Sequence, residues 1–149
     1  MKTRIEVGTP HAAFEVYRAV PEFEPHETVG LAEFETRLAN DSALTLIAYD
    51  DGDAVAFKVG YDRYNDGSWY SWLGGVVPAF RGRGIANALL EFQESWARSA
   101  GYARIYVKTR NRFVAMRTML ARAGYQIVAV DRAAATTLAD ARLTLVKTL

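Results

Sequence analysis

Residues 72–86 read Trp72-Leu73-Gly74-Gly75-Val76-Val77-Pro78-Ala79-Phe80-Arg81-Gly82-Arg83-Gly84-Ile85-Ala86. A predicted strand over residues 68–77 runs into Pro78, which has no N–H for a sheet hydrogen bond. We therefore expect sheet pairing to fail at this end of the strand. Gly74 and Gly75 carry no side chain, so a ligand can lie against their backbone. The N–H and C=O groups left free there can bind an extended, amide-bearing ligand as if it were another strand.

Two glycines and two arginines follow this strand, just before a predicted helix over residues 84–100. Gly82 and Gly84 leave backbone amides exposed at the N-terminus of that helix, where the helix dipole also favours an anion. Arg81 and Arg83 add positive charge to the same loop. The segment therefore suits a molecule with a pyrophosphate at one end and a long amide arm at the other. Coenzyme A fits that description better than a simple nucleotide does.

The loop differs from two common phosphate-binding motifs. A Walker motif requires Gly-Lys-Ser/Thr, whereas this loop ends in Gly84-Ile85-Ala86. The dinucleotide fingerprint requires a third glycine where Asn87 stands, and an acidic residue near the end of the next strand. That strand ends in Lys108-Thr109-Arg110. Both alternatives are disfavoured.

Strands and helices alternate along the rest of the chain. Apolar periodicity and turn residues predict strands over residues 5–7, 43–49, 54–61, 68–77, 104–109, 125–130 and 142–147. The same signals predict helices over residues 10–20, 31–39, 84–100 and 112–123. Asp50-Asp51-Gly52-Asp53 predicts a hairpin turn. We expect a single α/β domain over residues 1–149, with a mixed sheet and helices on both faces.

Composition excludes several classes of protein. Apolar residues make up 50% of the chain and charged residues 23%, an ordinary globular balance. No apolar run approaches the ~20 residues of a membrane-spanning helix, and the first residues do not resemble a secretory signal. Cysteine is absent, which excludes disulfides and a covalent Cys intermediate. We expect a cytoplasmic protein that binds no membrane. We also expect no metal, because His11 and His26 lack metal-ligand spacing.

The segment Val76-x-Pro78-x-Phe80-Arg81-Gly82-x-Gly84-Ile85-Ala86 resembles the signature of the GCN5-related N-acetyltransferases, the GNAT superfamily. Arg81, Gly84 and Ala86 satisfy the core pattern Arg/Gln-x-x-Gly-x-Gly/Ala. Asn111 and Gly124-Tyr125 match a second element of the family. The resemblance implies a mostly antiparallel sheet that is splayed at the cofactor strand. It also implies acetyl-CoA as cosubstrate and direct transfer of the acetyl group to a primary amine, of a small molecule, a lysine or an N-terminus. Because resembling proteins often dimerise, a homodimer is one expected state.

The resemblance implies roles for individual residues as well. The backbone of Gly75, Val76 and Val77 would pair with the pantetheine arm and polarise the thioester carbonyl. The pyrophosphate would be held by backbone amides of Arg81, Gly82, Arg83, Gly84, Ile85 and Ala86. Asn111 would bind the pantetheine side, although the same residue is equally suited to cap the helix that follows.

The sequence departs from the family at the usual proton donor. The family often carries a Tyr four residues before the glycine that ends the last helix, and here that position is Leu120. Tyr70 is our candidate catalytic residue instead, since it stands six residues before Val76, where some members carry a general base. The alternative is that Tyr70 packs on the sheet face against Trp72. Leu120 also keeps open a second function, a non-catalytic sensor that binds acyl-CoA without turnover.

Charge is distributed unevenly along the chain. Residues 1–66 hold six Lys or Arg and thirteen Asp or Glu, whereas residues 67–149 hold twelve and four. A nucleic-acid binder is a third alternative, but the acidic half weakens it, and we expect no nucleic acid. In the resembling fold the N-terminal helices cover the acceptor end of the cleft. An acidic rim that attracts a protonated amine is therefore predicted there, from Glu22, Glu24, Glu27, Glu33 and Glu35.

Overall fold

The structure is a computed structural model that describes residues 3–23, 29–133 and 135–149. Within them, seven strands form one sheet: β1 (Thr3–Val7), β2 (Leu44–Asp50), β3 (Asp53–Tyr61), β4 (Ser68–Val76), β5 (Arg104–Arg110), β6 (Gln126–Asp131) and β7 (Arg142–Thr148). The α-helices are α1 (Pro10–Arg18), α2 (Leu31–Arg37), α3 (Ile85–Ser99) and α4 (Val114–Arg122). Short 3-10 turns lie at Pro21–Phe23, Pro78–Phe80 and Leu138–Asp140. The predicted order of strands and helices is confirmed.

The strands lie in the order β1-β2-β3-β4-β5-β7-β6. β4 and β5 run parallel, and the other neighbouring strands run antiparallel. A parallel pair requires a long crossover connection, and α3 lies in the one that joins β4 to β5. The mixed, mostly antiparallel sheet expected from the sequence is confirmed.

The hairpin between β2 and β3 follows directly from its sequence. Asp51 and Gly52 both have positive φ, at 49° and 90°, as a two-residue type I′ turn requires. Asp50 pairs with Asp53 across the turn. The turn fixes the register of the first two pairs, and a β-bulge at Val55 then shifts it by one residue, so that Ala48 pairs with Ala56.

The sheet carries helices on both faces, and each face has its own apolar core. On one face α3 and α4 pack against the sheet through residues such as Leu90 and Leu120. On the other face α1 and α2 pack through Val16 and Phe34. We call these the α3/α4 face and the α1/α2 face. A ligand that lies between two separated strands can therefore contact residues of both the α3/α4 face and the α1/α2 face.

The helices are shorter than their predicted ranges, for local reasons. The helix predicted over residues 10–20 ends at Arg18, two residues before Val20, which precedes Pro21 and is therefore disfavoured in helical conformation. The helix predicted from residue 112 begins at Val114. α3 has 15 residues. No helix of the described ranges is long and apolar enough to cross a membrane.

A β-bulge bends the strand that carries the glycine segment. Val59 pairs with Leu73 and Gly60 pairs with Ser71, so Trp72 is the extra residue in β4. A Cβ atom on Gly60 would lie 2.6 Å from the carbonyl oxygen of Tyr70. Glycine is therefore required at position 60 for the two strands to approach each other at the bulge. Bulges increase strand bending and twist, and this one lies where β4 leaves β5.

Candidate active site

The sheet parts between β4 and β5. The last paired residues are Ser71 and Val107. Beyond them β4 continues to Val76 along β3, and β5 continues to Arg110 along β7. The predicted splay is present, but it starts at the bulge, several residues before Pro78. Pro78 begins the following 3-10 turn and is not the cause of the parting.

The backbone of β4 presents selected groups to this crevice. The Val77 N–H donates to the carbonyl of Val55 at 2.9 Å, and the Val77 carbonyl accepts from the Phe80 N–H at 2.9 Å. Hydrogen-bonding direction alternates along an antiparallel strand, so Gly75 also faces β3, whereas Gly74 and Val76 face the crevice. Three residues, Gly75, Val76 and Val77, were expected to pair with pantetheine. Of these, only Val76 directs its backbone N–H and C=O groups into the crevice.

Gly75 has a second reason to lack a side chain. A Cβ atom there would lie 3.1 Å from Cγ2 of Val20 and 3.4 Å from Cε2 of Phe23. These residues belong to the α1/α2 face, or pack against its core. Gly75 thus lets the chain that follows α1 lie close to the crevice.

The loop between β4 and α3 has the geometry of an anion site. Gly82 and Gly84 have φ of 77° and 80°, values that favour glycine. Gly84 is the N-cap of α3, and no side chain caps the helix there. The first N–H groups of α3 are therefore available to a ligand, at the end of the helix that favours negative charge.

The two arginines of the loop turn back onto the protein. Arg81 donates from Nε to the Val76 carbonyl at 3.0 Å and from Nη2 to Glu22 at 2.8 Å. These hydrogen bonds hold the pKa of the Glu22 carboxyl below its usual range. Arg83 lies 3.7 Å from Asp50, with its guanidinium over the ring of Phe80. The Arg81 N–H, predicted to contact a pyrophosphate, already donates to the Pro78 carbonyl at 3.3 Å, whereas no described residue accepts from the N–H groups of residues 82–86.

Crevice and loop are parts of one cleft of about 810 Å³. Its wall includes the loop residues Arg81, Gly82, Gly84, Ile85 and Ala86. It extends past Gly74 and Gly75 to Tyr70 and Trp72, which belong to the core of the α1/α2 face. Because the cleft runs through the parted sheet, it is lined by residues of both faces.

Tyr70 lies at the end of the cleft on the α1/α2 face, which we call the acceptor end. Only 4% of the residue is exposed, and burial raises the pKa of its hydroxyl. The cations Arg63 and Lys108 lie 5.0 and 6.0 Å from its ring centre. No described residue forms an ion pair with either cation. The acceptor end is therefore aromatic and positively charged.

Of the glutamates predicted to form an acidic rim, Glu22 and Glu33 line the cleft, and each is paired with an arginine. Glu22 is held by Arg81, and Glu33 lies 2.8 Å from Arg37. Glu35 is exposed and does not line the cleft. Glu24 and Glu27 lie outside the described residues. The charge of the two glutamates on the cleft wall is therefore balanced by arginines, a pairing that sequence spacing does not reveal.

Two other residues singled out in the sequence lie away from the cleft surface. Asn111 donates from Nδ2 to the Leu138 carbonyl at 3.1 Å and does not line the cleft. The N-cap of α4 is Phe113, so Asn111 does not cap that helix. A contact of Asn111 with pantetheine stays a prediction. Leu120 is fully buried in the core of the α3/α4 face. His11 is exposed on α1, 3.9 Å from Glu15, and His26 lies outside the described residues.

Sequence reasoning missed the cations Lys58, Arg63 and Lys108 of the cleft, of which Lys58 is the most deeply buried. Lys58 lies in the middle of β3, lines the cleft and is only 5% exposed. The available signal was a single lysine within the otherwise apolar run from Ala54 to Gly60. A charge inside such a strand is rarely buried without a partner.

Comparison with known proteins agrees with this geometry. The model of the acetyltransferase (GNAT) family matches residues 11–125. The crystal structure of ribosomal-protein-S18-alanine N-acetyltransferase from Escherichia coli superposes with a TM-score of 0.84 at 14% identity, over 98% of this chain and 93% of that one. Ard1 from Thermoplasma volcanium gives a TM-score of 0.82 at 20% identity, over 100% and 99% of the two chains.

A third structure, the Bacillus subtilis acetyltransferase in complex with CoA, has a TM-score of 0.79 at 16% identity and covers 99% of both chains. At these identities the structures show a shared fold. The family model adds the motif, since its match includes β4, the glycine loop and α3. The chain therefore belongs to the GNAT acetyltransferase family, whose members use acetyl-CoA.

Proposed function

We propose that this protein transfers the acetyl group of acetyl-CoA directly to a primary amine, with both substrates bound together. The observation that carries the proposal is the crevice beyond Ser71 and Val107, which is open next to an uncapped helix N-terminus. Such a crevice can take an extended amide chain on one side of the parted sheet. The absence of cysteine agrees with direct transfer, because no thiol is present to carry the acetyl group.

The residues present fit coenzyme A. The backbone amides from Gly82 to Ala86 would hold the pyrophosphate, and Gly74 and Val76 would bind the pantetheine amides. When bound, acetyl-CoA supplies an acetyl group activated as a thioester. Arg81 and Arg83 contribute positive charge beside the pyrophosphate, which strengthens hydrogen bonds from the amides.

Tyr70 is the residue we propose to contact the acceptor amine. Its raised pKa keeps the hydroxyl protonated at neutral pH, so it can donate one hydrogen bond and accept another. No described residue hydrogen-bonds to this hydroxyl, although the cleft reaches it. An N–H of the neutral amine can donate to the Tyr70 oxygen, which would orient the nitrogen lone pair toward the thioester.

The charges at the acceptor end favour an amine that also bears an anionic group. Arg63 and Lys108 flank Tyr70 without a carboxylate partner among the described residues. Glu22 and Glu33 are already paired with arginines, so they offer little attraction to a polycation. A carboxylate on the acceptor would meet two cations and lie against aromatic rings.

Release of free CoA thiol with a panel of amines tests these proposals. The panel pairs each α-amino acid with its amide, and adds a polyamine and a peptide with a free N-terminus. The peptide is included because the E. coli protein of similar fold is by name an N-acetyltransferase for an alanine of a ribosomal protein. We expect the carboxylate-bearing member of each pair to have the higher kcat/KM. Arg63→Gln and Lys108→Met should each reduce the preference, which is kcat/KM of the acid divided by kcat/KM of its amide, about tenfold. Comparing this preference between variant and wild type cancels the intrinsic reactivity of each amine.

A sensor function is the second candidate, supported by Leu120 at the usual proton-donor position. It predicts that acetyl-CoA raises the melting temperature while no acceptor releases thiol. Thiol release with any amine of the panel excludes the sensor. Equal kcat/KM for both members of every pair would overturn the preference for an anionic acceptor.

A further inference from the structure

Lys58 is a buried amine without a partner. It is 5% exposed, and no described residue forms a hydrogen bond or an ion pair with its Nζ atom. A buried ammonium group normally has a carboxylate or several acceptors around it, because its desolvation is otherwise uncompensated. An unpaired amine on the wall of a binding cleft points to a negatively charged ligand atom.

The amine lies over the part of β4 that faces the crevice. Lys58 pairs with Gly74, and a Cβ atom on Gly74 would lie 3.3 Å from Nζ. Because glycine stands there, nothing from position 74 separates the amine from the cleft. Leu46, the neighbour of Lys58 on β2, belongs to the core of the α3/α4 face, as does Leu120. Lys58 is therefore on the same face as Leu120, opposite to Tyr70.

The charged groups near Lys58 do not neutralise it. The Glu94 carboxylate of α3 acts to raise the pKa of Lys58, but the two groups do not form an ion pair. Glu94 instead accepts from Lys147 of β7 at 3.1 Å. Tyr125 is the other ionisable group beside Glu94, and burial together with that carboxylate keeps it protonated.

We propose that Lys58 is a catalytic residue that stabilises the departing CoA thiolate and gives it a proton. The inference rests on the proposed acetyl transfer. The amine nitrogen forms a bond to the acetyl carbon, the carbon–sulfur bond breaks, and its electron pair stays on sulfur. Lys58 passes one proton from its ammonium group to that sulfur and becomes neutral. The nitrogen of the product loses one proton to water, and Lys58 regains a proton from solvent.

The acidity of Lys58 suits this step. Desolvation lowers the pKa of its ammonium group from 10.5 to about 8, with an opposing contribution from the Glu94 charge. A thiol has a pKa of about 8.5, so donor and acceptor are nearly matched, which is favourable for proton transfer in either direction. The group is also still largely cationic at neutral pH, as thiolate stabilisation requires.

The proposal makes a prediction that does not depend on turnover. A cation at the sulfur favours the thiolate, so the thiol of CoA bound to the wild-type protein should have a pKa at least about one unit below that of free CoA. The ultraviolet absorbance of the thiolate measures this pKa in the complex. Lys58→Met should return it to the value of free CoA. Lys108→Met, which removes a charge from the opposite face of the same cleft, should leave it low.

Binding of desulfo-CoA, which lacks the sulfur, provides a second test. At about pH 8, where about half of the Lys58 amines still carry a proton, we expect Lys58→Met to weaken CoA binding by about two- to fivefold and to leave desulfo-CoA binding unchanged. Lys58→Arg, which keeps the charge, should retain most of the affinity for CoA. Steady-state kinetics should show a lower kcat for Lys58→Met with little change in the KM of the amine.

The outcomes separate this proposal from the function on which it rests. If the wild-type protein binds neither acetyl-CoA nor CoA, the proposed acetyl transfer fails. If CoA binds with the same thiol pKa in the wild type and in Lys58→Met, Lys58 does not contact the sulfur and the inference is overturned. Equal loss of CoA and desulfo-CoA affinity would likewise assign Lys58 a structural role. A lowered thiol pKa that depends on Lys58 supports the proposal.

Discussion

The Nε atom of Arg81 donates a hydrogen bond of 3.0 Å to the carbonyl oxygen of Val76. That carbonyl faces the crevice, where an incoming amide N–H would also reach it. A carbonyl oxygen has two lone pairs, so it can accept from Arg81 and from a ligand together. The contact joins the last residue of β4 to the loop between β4 and α3, and Glu22 extends it to the chain after α1.

Glu22→Gln tests the outer part of this connection. Both side chains are about two-fifths exposed, so the ion pair should contribute at most about 1 kcal/mol at neutral pH. The pKa of Glu22 is lowered in the folded state, so its contribution is present above the ordinary value of 4.5 and is lost as pH falls below it. Urea denaturation should therefore show a small deficit for the variant at neutral pH and none in acid. Glu15→Gln, which removes the looser pair of Glu15 with Arg18, is the control, and an equal deficit at both pH values would contradict the prediction.

Gly84→Glu tests the anion site. The left-handed backbone of Gly84 penalises any side chain by roughly 1–2 kcal/mol, and Gly84→Ala measures that cost alone. The added carboxylate would lie near the pyrophosphate and repel it. Two unit charges of the same sign 4 Å apart repel each other by about 4 kcal/mol at an intermediate dielectric constant. We expect acetyl-CoA affinity to fall at least about a hundredfold for Gly84→Glu and far less for Gly84→Ala. Calorimetric affinities that are equal in both variants would show that the loop does not hold the pyrophosphate.

The parts of the fold that could be predicted are those with local causes. Asp51 and Gly52 specify a tight hairpin through their own backbone preferences. Gly82 and Gly84 likewise mark a loop of unusual φ before a helix whose apolar stripe is clear in the sequence. Local chemistry of this kind does not depend on distant residues, so it can be read without the structure.

The parts that could not be predicted depend on contacts between distant segments. The bulge at Trp72 exists because Gly60, on another strand, has no side chain to meet the Tyr70 carbonyl. Arg81 neutralises Glu22 across 59 positions of the chain. The isolation of Lys58 is likewise a property of the assembled cleft. Each of these changes the charge or the opening of the site, and none leaves a local pattern.

Tyr70→Phe tests the acceptor end. The variant keeps the ring contacts with Tyr61 and Tyr64 and removes only the hydroxyl. If that hydroxyl orients the amine, kcat should fall about tenfold or more, with acetyl-CoA affinity unchanged within about twofold. Tyr64→Phe is the matched control, because Tyr64 is exposed and contacts the ring of Tyr70. This variant should have a normal kcat. Unchanged kcat in Tyr70→Phe would make Tyr70 a packing residue of the sheet.

Lys58→Met should stabilise the protein without ligand. The pKa of Lys58 lies at about 8 in the folded protein and 10.5 in the unfolded chain, so the buried charge costs about 3 kcal/mol below pH 8. Between those values the unfolded chain binds more protons, and stability rises with pH. Methionine fills similar space without a charge, so urea denaturation at about pH 7 should show the variant more stable than the wild type, by up to that amount.

The pH dependence distinguishes this cause from improved packing. Other lysines and tyrosines titrate in the same range, but they cancel when the variant and the wild type are compared at each pH. The advantage of Lys58→Met should therefore shrink from about pH 8 upward and vanish near pH 10.5, where the wild-type amine is neutral in both states. An advantage that is constant from neutral to alkaline pH would indicate packing alone. A variant less stable than the wild type at neutral pH would mean that Lys58 is already paired in the free protein, which would also remove the basis for its action on sulfur.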